Sequence, residues 1–316
     1  MYFKKHLDNL SINKHNLTKR VIHGAIVKKN RLLRYTDFFT TYPIKVMRMP
    51  MHGSEPIQHR HEFQELVIIV GGAGTHWIED EKYRIETGDV FLILNNMRHS
   101  YLEASNLSLI NVLYDMRQIN FPLADIGTLP GYHALFELEP KIRRQRKFQN
   151  RLRLSVSQLT EALRLVAELE EELQSDKQGG YFFAIANLMR LIGFLSRCYS
   201  ELELPESRPL QHFSKLLGYI EKNYATPLCI KDLTRVAHMS QTSLMRTFKQ
   251  LMGRSPIEHI IRLRISKSRH LIRHTDMSLS EIAERVGFCD GNYLSRQFTK
   301  IVGMSPHEFR RQINFR

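Results

Sequence analysis

Three histidines and a glutamate in the first hundred residues have a spacing that could do chemistry. They follow the pattern His59-x-His61-x-x-x-Glu65, and His99 comes later in the chain. In an extended chain, positions 59, 61 and 65 share one face because side chains alternate sides with a period of two. Imidazole nitrogens and a carboxylate oxygen are ligands for a divalent metal ion. The same groups can hydrogen-bond a polar small molecule, or serve only as structural residues.

Aromatic side chains nearby favour a small-molecule pocket. A sugar needs several hydrogen-bonding groups and a flat aromatic surface, and three aromatic residues are available on neighbouring segments. We therefore predict an effector pocket formed by His59, His61, Glu65, Trp77, Tyr83, His99 and Tyr101. The second interpretation is a divalent metal ion held by His59, His61, Glu65 and His99. Nothing in the sequence indicates that the protein requires a cofactor.

A second chemical pattern lies in the last third of the chain and appears twice. At an offset of fifty positions, Leu244, Arg246, Phe248, Gly253, Ser255, Pro256 and Glu258 match Leu294, Arg296, Phe298, Gly303, Ser305, Pro306 and Glu308. Identical residues at one constant spacing indicate a duplicated unit. Apolar residues at helical spacing predict two short helices in each unit, with turns near 238–240 and 287–290. Each unit is therefore predicted to be a helix-turn-helix.

The outward side of each second helix carries side chains suited to DNA. The exposed positions are predicted to be Gln241, Thr242, Met245, Arg246 and Lys249 in the first copy, and Asn292, Ser295, Arg296 and Lys300 in the second. Such polar and basic side chains reach base and phosphate edges in a major groove. A single amphipathic helix would more often be a solvated surface, but the duplication and the charge favour DNA contact. A helix of about 27 Å from Pro256 to about His274 would hold the units in adjacent groove segments.

Composition and charge agree with this assignment. A chain of 316 residues suggests two domains. From Pro205 onward there are 19 Lys and Arg against 9 Asp and Glu, so most of the net charge of +14 lies with the duplicated units. Cys198, Cys229 and Cys289 form no close pair, which indicates a reducing compartment. The start lacks the apolar core of a signal peptide and the longest apolar runs have strand length, so we expect a cytoplasmic protein without a membrane partner.

The elements that must position these residues predict an α+β two-domain protein. Short apolar strands run from Ile44 to about Tyr114, with turn signals at Gly71-Gly72, Gly74 and Gly88-Asp89, as is typical of a jelly roll or small barrel. Helical spacing predicts a helical pair at 157–174 and 181–199. The predicted regions are an N-terminal arm (1–40), an effector-binding barrel (41–128), a helical or dimerisation region (129–200), a linker (201–209) and an all-α DNA-binding domain (210–316).

Residues from about Leu210 to Arg310 resemble the AraC/XylS family of transcriptional regulators, most clearly in the string from Gly287 to Arg310. The resemblance implies an N-terminal cupin-like β-barrel or jelly roll with a helical pair, followed by an all-α domain with two helix-turn-helix units. It implies double-stranded DNA, RNA polymerase, a small-molecule effector and a second copy of the chain, as a homodimer, as partners. Gly291 stands where members usually have Ser or Gln, so a base contact is not expected there.

Three further residue matches refine the resemblance. The His/Glu set resembles that of metal-binding cupins. Asp290 matches a position that family activators can present to the polymerase sigma subunit, although it could instead cap a helix. The segments 59–69 and 111–114 are similar to the L-rhamnose regulators of the family, which implies a deoxyhexose or related sugar as effector.

The sequence thus predicts a ligand-responsive, sequence-specific regulator of transcription, an activator of carbohydrate-utilisation genes. The alternative is a metal-dependent cupin enzyme that carries a DNA-binding domain. The His/Glu set alone favours that alternative, and no separate acid, base or nucleophile can be identified from spacing, so we predict no enzymatic activity. Non-specific DNA packaging, a third hypothesis, does not explain why hydrogen-bonding residues line both predicted recognition faces.

Overall fold

The computed structural model describes residues 31–51, 58–119, 123–143, 151–175, 177–202 and 208–314. Most of the predicted N-terminal arm, and part of the predicted linker, therefore lie outside the described residues. The end of the arm forms a short strand, β1 (Arg31–Leu33), and a single helical turn, α1 (Tyr35–Phe38). Strand β1 pairs in parallel with β3 (His59–His61), so this part of the arm belongs to the sheet.

The other strands complete one curled sheet of eight strands. They are β2 (Ile44–Met51), β4 (Gln64–Ile78), β5 (Glu81–Glu86), β6 (Asp89–Ile93), β7 (His99–Tyr114) and β8 (Leu152–Arg153). The long β7 pairs with β2, β3 and β4, and β4 pairs also with β5 and β6. The sheet therefore curves around an inner core, which confirms the predicted barrel-like architecture.

The predicted turn at Gly71-Gly72 and Gly74 is absent from the described chain, because these glycines lie within the continuous strand β4. The pairing of β4 with β7 shifts register between Ile69 and Thr75, as at β-bulges, and Gly72 has a φ of +74°. Each register shift can reverse the side on which later residues lie. Val67 and Ile69 therefore face the inner core, as do residues of even number further along, such as Ile78.

Helices cover the outer face of the sheet. After α2 (Leu123–Ile126) comes a helical stretch made of α3 (Pro130–Tyr132), a π-helical turn (His133–Leu138) and α4 (Glu139–Arg143). The predicted helical pair is confirmed as α5 (Val156–Gln174) and α6 (Gly180–Ser200), which pack on each other. Among the described helices, α6 alone is long and apolar enough to cross a membrane, but Leu188, Leu191 and Leu195 are fully buried, as in a core helix.

The C-terminal part is helical throughout and confirms both helix-turn-helix units. Its helices are α7 (Arg208–Asn223), α8 (Ile230–Ala237), α9 (Gln241–Met252), α10 (Pro256–His274), α11 (Leu279–Val286), α12 (Gly291–Val302) and α13 (Pro306–Asn314). Gly253 and Gly303 end α9 and α12 with φ values of +70° and +86°. A capping box closes at Ser305 and Glu308, whereas the carboxylate of Glu258 accepts from Arg262 instead of from the backbone of Ser255.

One hydrophobic core runs from the outer face of the sheet into the first helix-turn-helix unit (α8 and α9). It includes Leu66 and Val112 of the sheet, Leu188 of α6, Leu217 of α7 and Phe248 of α9. The second helix-turn-helix unit (α11 and α12) has a separate core. The first unit is therefore packed against the sheet-and-helix region through α7, and the second unit is not part of that core.

Candidate DNA interface and buried histidine site

The first recognition helix, α9, presents its predicted face to solvent. Leu244 and Phe248 are fully buried, and they fix the rotation of the helix because they lie one turn apart on its inner side. All five predicted DNA-contact residues on the other side are exposed: Gln241, Thr242, Met245, Arg246 and Lys249. This surface can offer donors, acceptors and positive charge to a groove.

The second recognition helix, α12, is built in the same way. Leu294 and Phe298 are fully buried. Of the predicted contacts, Asn292, Arg296 and Lys300 are exposed, whereas Ser295 is half-buried and its carbonyl accepts from the hydroxyl of Thr299. The guanidinium of Arg296 lies 5.9 Å from the ring of Tyr293, which holds it over the start of the helix. The two surfaces are thus similar in chemistry but not identical.

Asp290 is the N-cap of α12. Its Oδ1 accepts from the backbone N–H of Tyr293 at 2.6 Å, and this bond is the main reason that the pKa of Asp290 is lowered. A negative charge at this position also faces the positive end of the helix dipole. Ser240 has the equivalent place at α9, where its hydroxyl accepts from Ser243. Asp290 therefore has a structural role, and its other carboxylate oxygen accepts from the thiol of Cys289.

The segment between α7 and α8 joins the two helix-turn-helix units. Arg264 of α10 donates to the carbonyls of Tyr224 and Thr226 at 2.7 and 2.9 Å. The turn of the second unit begins at Gly287, which has a φ of +89° and lies so close to Ala225 that an added Cβ would be 2.7 Å from its carbonyl oxygen. These long-range contacts, which local sequence patterns do not reveal, fix how the second unit sits against α10.

The histidines and glutamate predicted to act together do meet, inside the curled sheet. His61 and His99 are 0% exposed and Glu65 is 3% exposed, while His59 is half-buried. Nε2 of His61 lies 3.0 Å from Glu65 Oε2, and Nε2 of His99 lies 3.7 Å from the same oxygen. Ligand atoms of His59, Glu65 and His99 all lie within 4.8 Å of one another. This separation suits a single cation between them.

The hydrogen bonds of these rings set their tautomers. Nδ1 of His61 donates to the carbonyl of Phe63 at 2.6 Å, and Nδ1 of His99 donates to the carbonyl of Met97 at 3.2 Å. In the neutral rings, both Nε2 lone pairs therefore point toward the carboxylate, and neither has a conventional hydrogen-bond partner among the described residues. The Nε2 lone pairs and the negatively charged carboxylate repel each other. A proton or a metal ion between them would remove this repulsion.

Burial and neighbouring groups act in opposite directions on this site. Burial by itself would raise the pKa of Glu65, but Nε2 of His61, which lies 3.0 Å from the carboxylate, and the surrounding imidazoles lower it to about 2. Burial lowers the pKa of His99 well below its usual value. At neutral pH the site therefore holds a carboxylate beside an uncharged His99, and this donor set fits a divalent cation.

His76, which the sequence did not indicate, belongs to the site, whereas Trp77, which was predicted among the pocket residues, does not. His76 is fully buried, with its ring centroid 5.1 Å from that of Tyr101 and 6.0 Å from that of His99. Tyr83 is opposite His76 in the β4–β5 ladder and packs on the inner core. Trp77 lies on the other side of β4, where Lys82 is 5.5 Å from its ring. Gly74, His76 and Ile78 are buried at alternate positions of β4, a pattern that depends on the strand pairing and that the sequence alone does not give.

Comparisons with known proteins match both parts of the chain. A family described as "AraC-like ligand binding domain" matches residues 48–176, and one described as "Helix-turn-helix domain" matches residues 233–312. The HTH-type transcriptional activator RhaS of Enterobacter sp. (strain 638) is 30% identical over 281 residues, covering 88% of this chain and 96% of that protein. The HTH-type transcriptional activator RhaR of Escherichia coli (strain K12) is 28% identical over 256 residues, covering 80% and 86%.

Some similar solved structures match about a third of this chain, whereas the match with apo ToxT K231A from Vibrio cholerae covers 86% of this chain and 98% of that one, at 14% identity and a TM-score of 0.33. The DNA-binding domain of AdpA, a global transcriptional factor, solved in complex with a target DNA, is 25% identical with a TM-score of 0.31. The match covers 31% of this chain and 89% of that one.

Proposed function

Because the chain belongs to the AraC family of ligand-responsive, DNA-binding transcriptional activators, we propose that it activates carbohydrate-utilisation genes in response to a sugar. The observation that carries the proposal is the pair of recognition helices, α9 and α12, with exposed hydrogen-bonding and basic side chains on both. Its named relatives are regulators rather than enzymes, so the alternative of a cupin enzyme has no support from them.

A genome-wide footprint of the full chain, with and without L-rhamnose and other deoxyhexoses, tests this function. We expect protected sites that contain two half-sites about one helical turn apart, because one chain carries both readers. A sugar that enters the site should change occupancy at those sites, since coupling between effector and DNA is reciprocal. DNA protection that no sugar alters would contradict the sugar response. DNA protection without any sequence preference would contradict sequence-specific recognition.

Arg246→Ala is expected to weaken binding to the best operator by about 1 to 3 kcal/mol and to relax specificity at one base pair. The reason is that an exposed arginine on a recognition helix can form a bidentate contact with guanine. Gel-shift titrations against single-base variants of the operator measure both effects. Arg235→Ala is the matched control, because Arg235 lies on α8 and pairs with Asp232 at 2.7 Å. Equal loss on every sequence would assign Arg246 to a phosphate instead.

We assign the sugar to the inner side of the curled sheet, with His59 and Tyr83 at its accessible edge. Both side chains are half-buried, whereas His61, His76 and His99 lie deeper. The other predicted residues on the inner side lie deeper than His59 and Tyr83, and among them Tyr101 lies beside His76. Trp77 lies on the outer side of β4, so it would not contact a sugar on the inner side. Isothermal titration with L-rhamnose of the full chain and of a His59→Ala variant tests this assignment. Weaker binding by the variant supports it, and equal binding would place the sugar elsewhere.

We also propose a structural divalent metal ion held by His59, Glu65 and His99, with His61 beside it. When bound, it would neutralise the buried carboxylate and fix the orientation of the rings. We expect about one equivalent of zinc, iron or nickel in the purified full chain, and Glu65→Gln to lower metal affinity by more than about tenfold. Elemental analysis by mass spectrometry measures this. Glu62→Gln is the control, because its carboxylate accepts from the backbone of Tyr35. A purified protein that contains no metal would contradict this proposal.

Asp290 is a candidate contact for RNA polymerase, and the structural role of its side chain decides how to test this. Asn caps helices about as well as Asp, so Asp290→Asn keeps the bond to Tyr293 and removes the charge. We expect this variant to retain operator affinity within about twofold while activated transcription falls severalfold. Ser240→Ala, which removes only a cap, is the control. Unchanged activation in the Asn variant would restrict Asp290 to capping.

A homodimer in the cytoplasm completes the proposal. The start of α6 leaves Phe182 and Phe183 with exposures of 71% and 52%, and these rings contact each other. Large exposed apolar side chains are frequent at protein interfaces. The helical pair α5 and α6 is therefore our choice for the dimer contact, and sedimentation velocity of the full chain measures the oligomeric state.

A further inference from the structure

A cavity of about 140 Å³ lies between the outer face of the sheet and the π-helical turn. Leu92 and Tyr114 form its floor, Tyr132 and Phe136 one wall, and Met189 and Ile192 of α6 another. It is separate from the histidine site: Leu92 and Tyr114 belong to the core on the outer face, whereas their neighbours Phe91 and Ile93 belong to the inner core. The sheet therefore stands between the two sites.

The size and lining of the cavity define what it can bind. A dry cavity of about 150 Å³ with apolar walls is large enough for benzene. None of the described residues that line it is charged; they are apolar side chains, Tyr114, Tyr132 and Gln64. A charged ligand would therefore lose its hydration without gaining a counter-ion. The volume and the lining fit a single ring or a short chain that is neutral at physiological pH.

The polar groups of the cavity limit the ligand further. Burial raises the pKa of both Tyr114 and Tyr132, so their hydroxyls stay neutral. Both tyrosines line the cavity. Gln64 uses its Oε1 to accept from Met116 and retains its amide N–H groups. These groups can satisfy one hydroxyl or carbonyl, but not the several hydroxyls of a monosaccharide.

The wall of the cavity is connected to the first helix-turn-helix unit. Tyr132 and Phe136 stack with ring centroids 5.5 Å apart. The residues that follow each of them, His133 and Glu137, are in contact, with Nδ1 of His133 3.0 Å from Oε2 of Glu137, and Glu137 acts electrostatically on His259 of α10. A π-helical turn is a rare geometry that is frequent at functional sites. Movement of Phe136 would therefore be transmitted to the groups that face α10.

We propose that this cavity is a second ligand site, for a small neutral molecule with an apolar ring or short chain and one hydroxyl or carbonyl group. Its occupancy changes the contact of the π-helical turn with the first helix-turn-helix unit, and thereby DNA affinity. The site differs from the proposed sugar site in position, polarity and ligand class. It does not depend on the sugar response.

The test uses four probes on the full-length chain: phenol, benzyl alcohol, indole and hexan-1-ol. Isothermal titration measures binding without DNA or sugar, so its outcome is independent of the proposed function. Ile192→Trp would fill the cavity. Ile185→Trp is the matched control, because Ile185 lies two turns earlier on α6 and packs on the same core outside the cavity lining. Met189→Trp serves in place of Ile192→Trp if circular dichroism shows that the latter is unfolded.

We expect at least one probe to bind with one-to-one stoichiometry, and the cavity-filling variant to raise its Kd by about tenfold or more. The control should leave the Kd within about twofold. The bound probe should change operator affinity of the wild-type chain by about fivefold. Absence of saturable binding, or binding that the cavity-filling variant leaves unchanged, overturns the site. Binding that leaves operator affinity unchanged overturns the coupling.

Discussion

Gly287→Ala is expected to destabilise the second helix-turn-helix unit by about 3 kcal/mol. The backbone at Gly287 has a φ of +89°, which costs an alanine about 1 kcal/mol or more. In addition, the new Cβ would lie 2.7, 2.8 and 2.9 Å from the carbonyl oxygen, carbonyl carbon and Cα of Ala225. Because these are backbone atoms, no side-chain rotation relieves the contact. Overpacking of this kind adds about 1 to 3 kcal/mol.

The expected functional result is loss of one half-site. Footprinting of the full chain should show that the sequence read by α12 loses protection before the sequence read by α9. Hydrogen exchange of the amides in α11 and α12 measures the destabilisation locally, which is appropriate where the two units have separate cores.

Gly303→Ala provides the matched control. Gly303 also has a left-handed backbone, with a φ of +86°, but an added Cβ meets nothing within 4 Å. The control should therefore cost only the backbone term, about 1 kcal/mol. If both variants exchange their amides at the same rate, the close approach of Gly287 to Ala225 is not a constraint on the fold.

This pair of glycines also shows what the sequence could and could not predict. Gly287 was predicted to lie in the turn of the second unit, and Gly303 was identified as a residue repeated in both units; glycine adopts positive φ at such positions without a steric penalty. Local signals also predicted the helix that begins at Pro256 and the two recognition helices. Only the three-dimensional packing distinguishes Gly287 from Gly303, since Ala225 belongs to a segment more than sixty residues earlier in the chain. Contacts at that separation leave no periodic pattern in a single sequence.

One part of the histidine site could likewise be predicted from the sequence, and another part could not. Period-two alternation correctly brought His61 and Glu65 together, and their side chains meet across the bend that separates β3 from β4. Alternation failed further along β4, where the irregular pairing around Gly72 exchanges the inner and outer positions. His76 faces inward and Trp77 outward for that reason. A bulge depends on the partner strand, so its effect on side-chain direction appears only when the pairing is known.

The packing of the first helix-turn-helix unit against α7 and the π-helical turn also could not be predicted from the sequence. Gly218 of α7 approaches the carbonyl of Thr128 so closely that an added Cβ would be 2.7 Å away. Gly131 of α3 lies still closer to the backbone of α6 at Ser196. These contacts place His133 and Glu137 beside α10. They create a group of buried and half-buried titratable side chains where the π-helical turn meets the first helix-turn-helix unit.

Acidification from pH 6.5 to 4 is expected to weaken this junction through His259. The pKa of His259 is lowered from 6.5 to about 4, first because it is buried, and further by the positive charges of Arg254, His133 and Lys141; Glu137 acts in the opposite direction. The unfolded chain therefore takes up a proton below about pH 6.5, whereas the folded chain does so only below about pH 4. Stability from the neutral ring is present above pH 6.5 and is lost as the pH falls to 4.

The expected loss from this one group is about 3 kcal/mol, on the order of 1.4 kcal/mol for each unit of pKa difference. Urea unfolding of the full chain between pH 7 and pH 4 measures it. In His259→Gln, which has no proton to gain, the decrease in unfolding free energy over this range should be smaller by about that amount. Glu65 does not interfere, because its lowered pKa removes stability only as the pH falls from 4.5 to about 2.

His270→Gln is the control for this measurement, because His270 lies on the same helix and is exposed. The buried His99 titrates equally in the wild type and in both variants, so it cancels in the comparison. The decisive quantity is the difference in slope between His259→Gln and His270→Gln. If the two variants lose stability in parallel from pH 6.5 to 4, His259 is accessible to protons in the folded chain. The junction between the π-helical turn and α10 would then be solvated rather than packed.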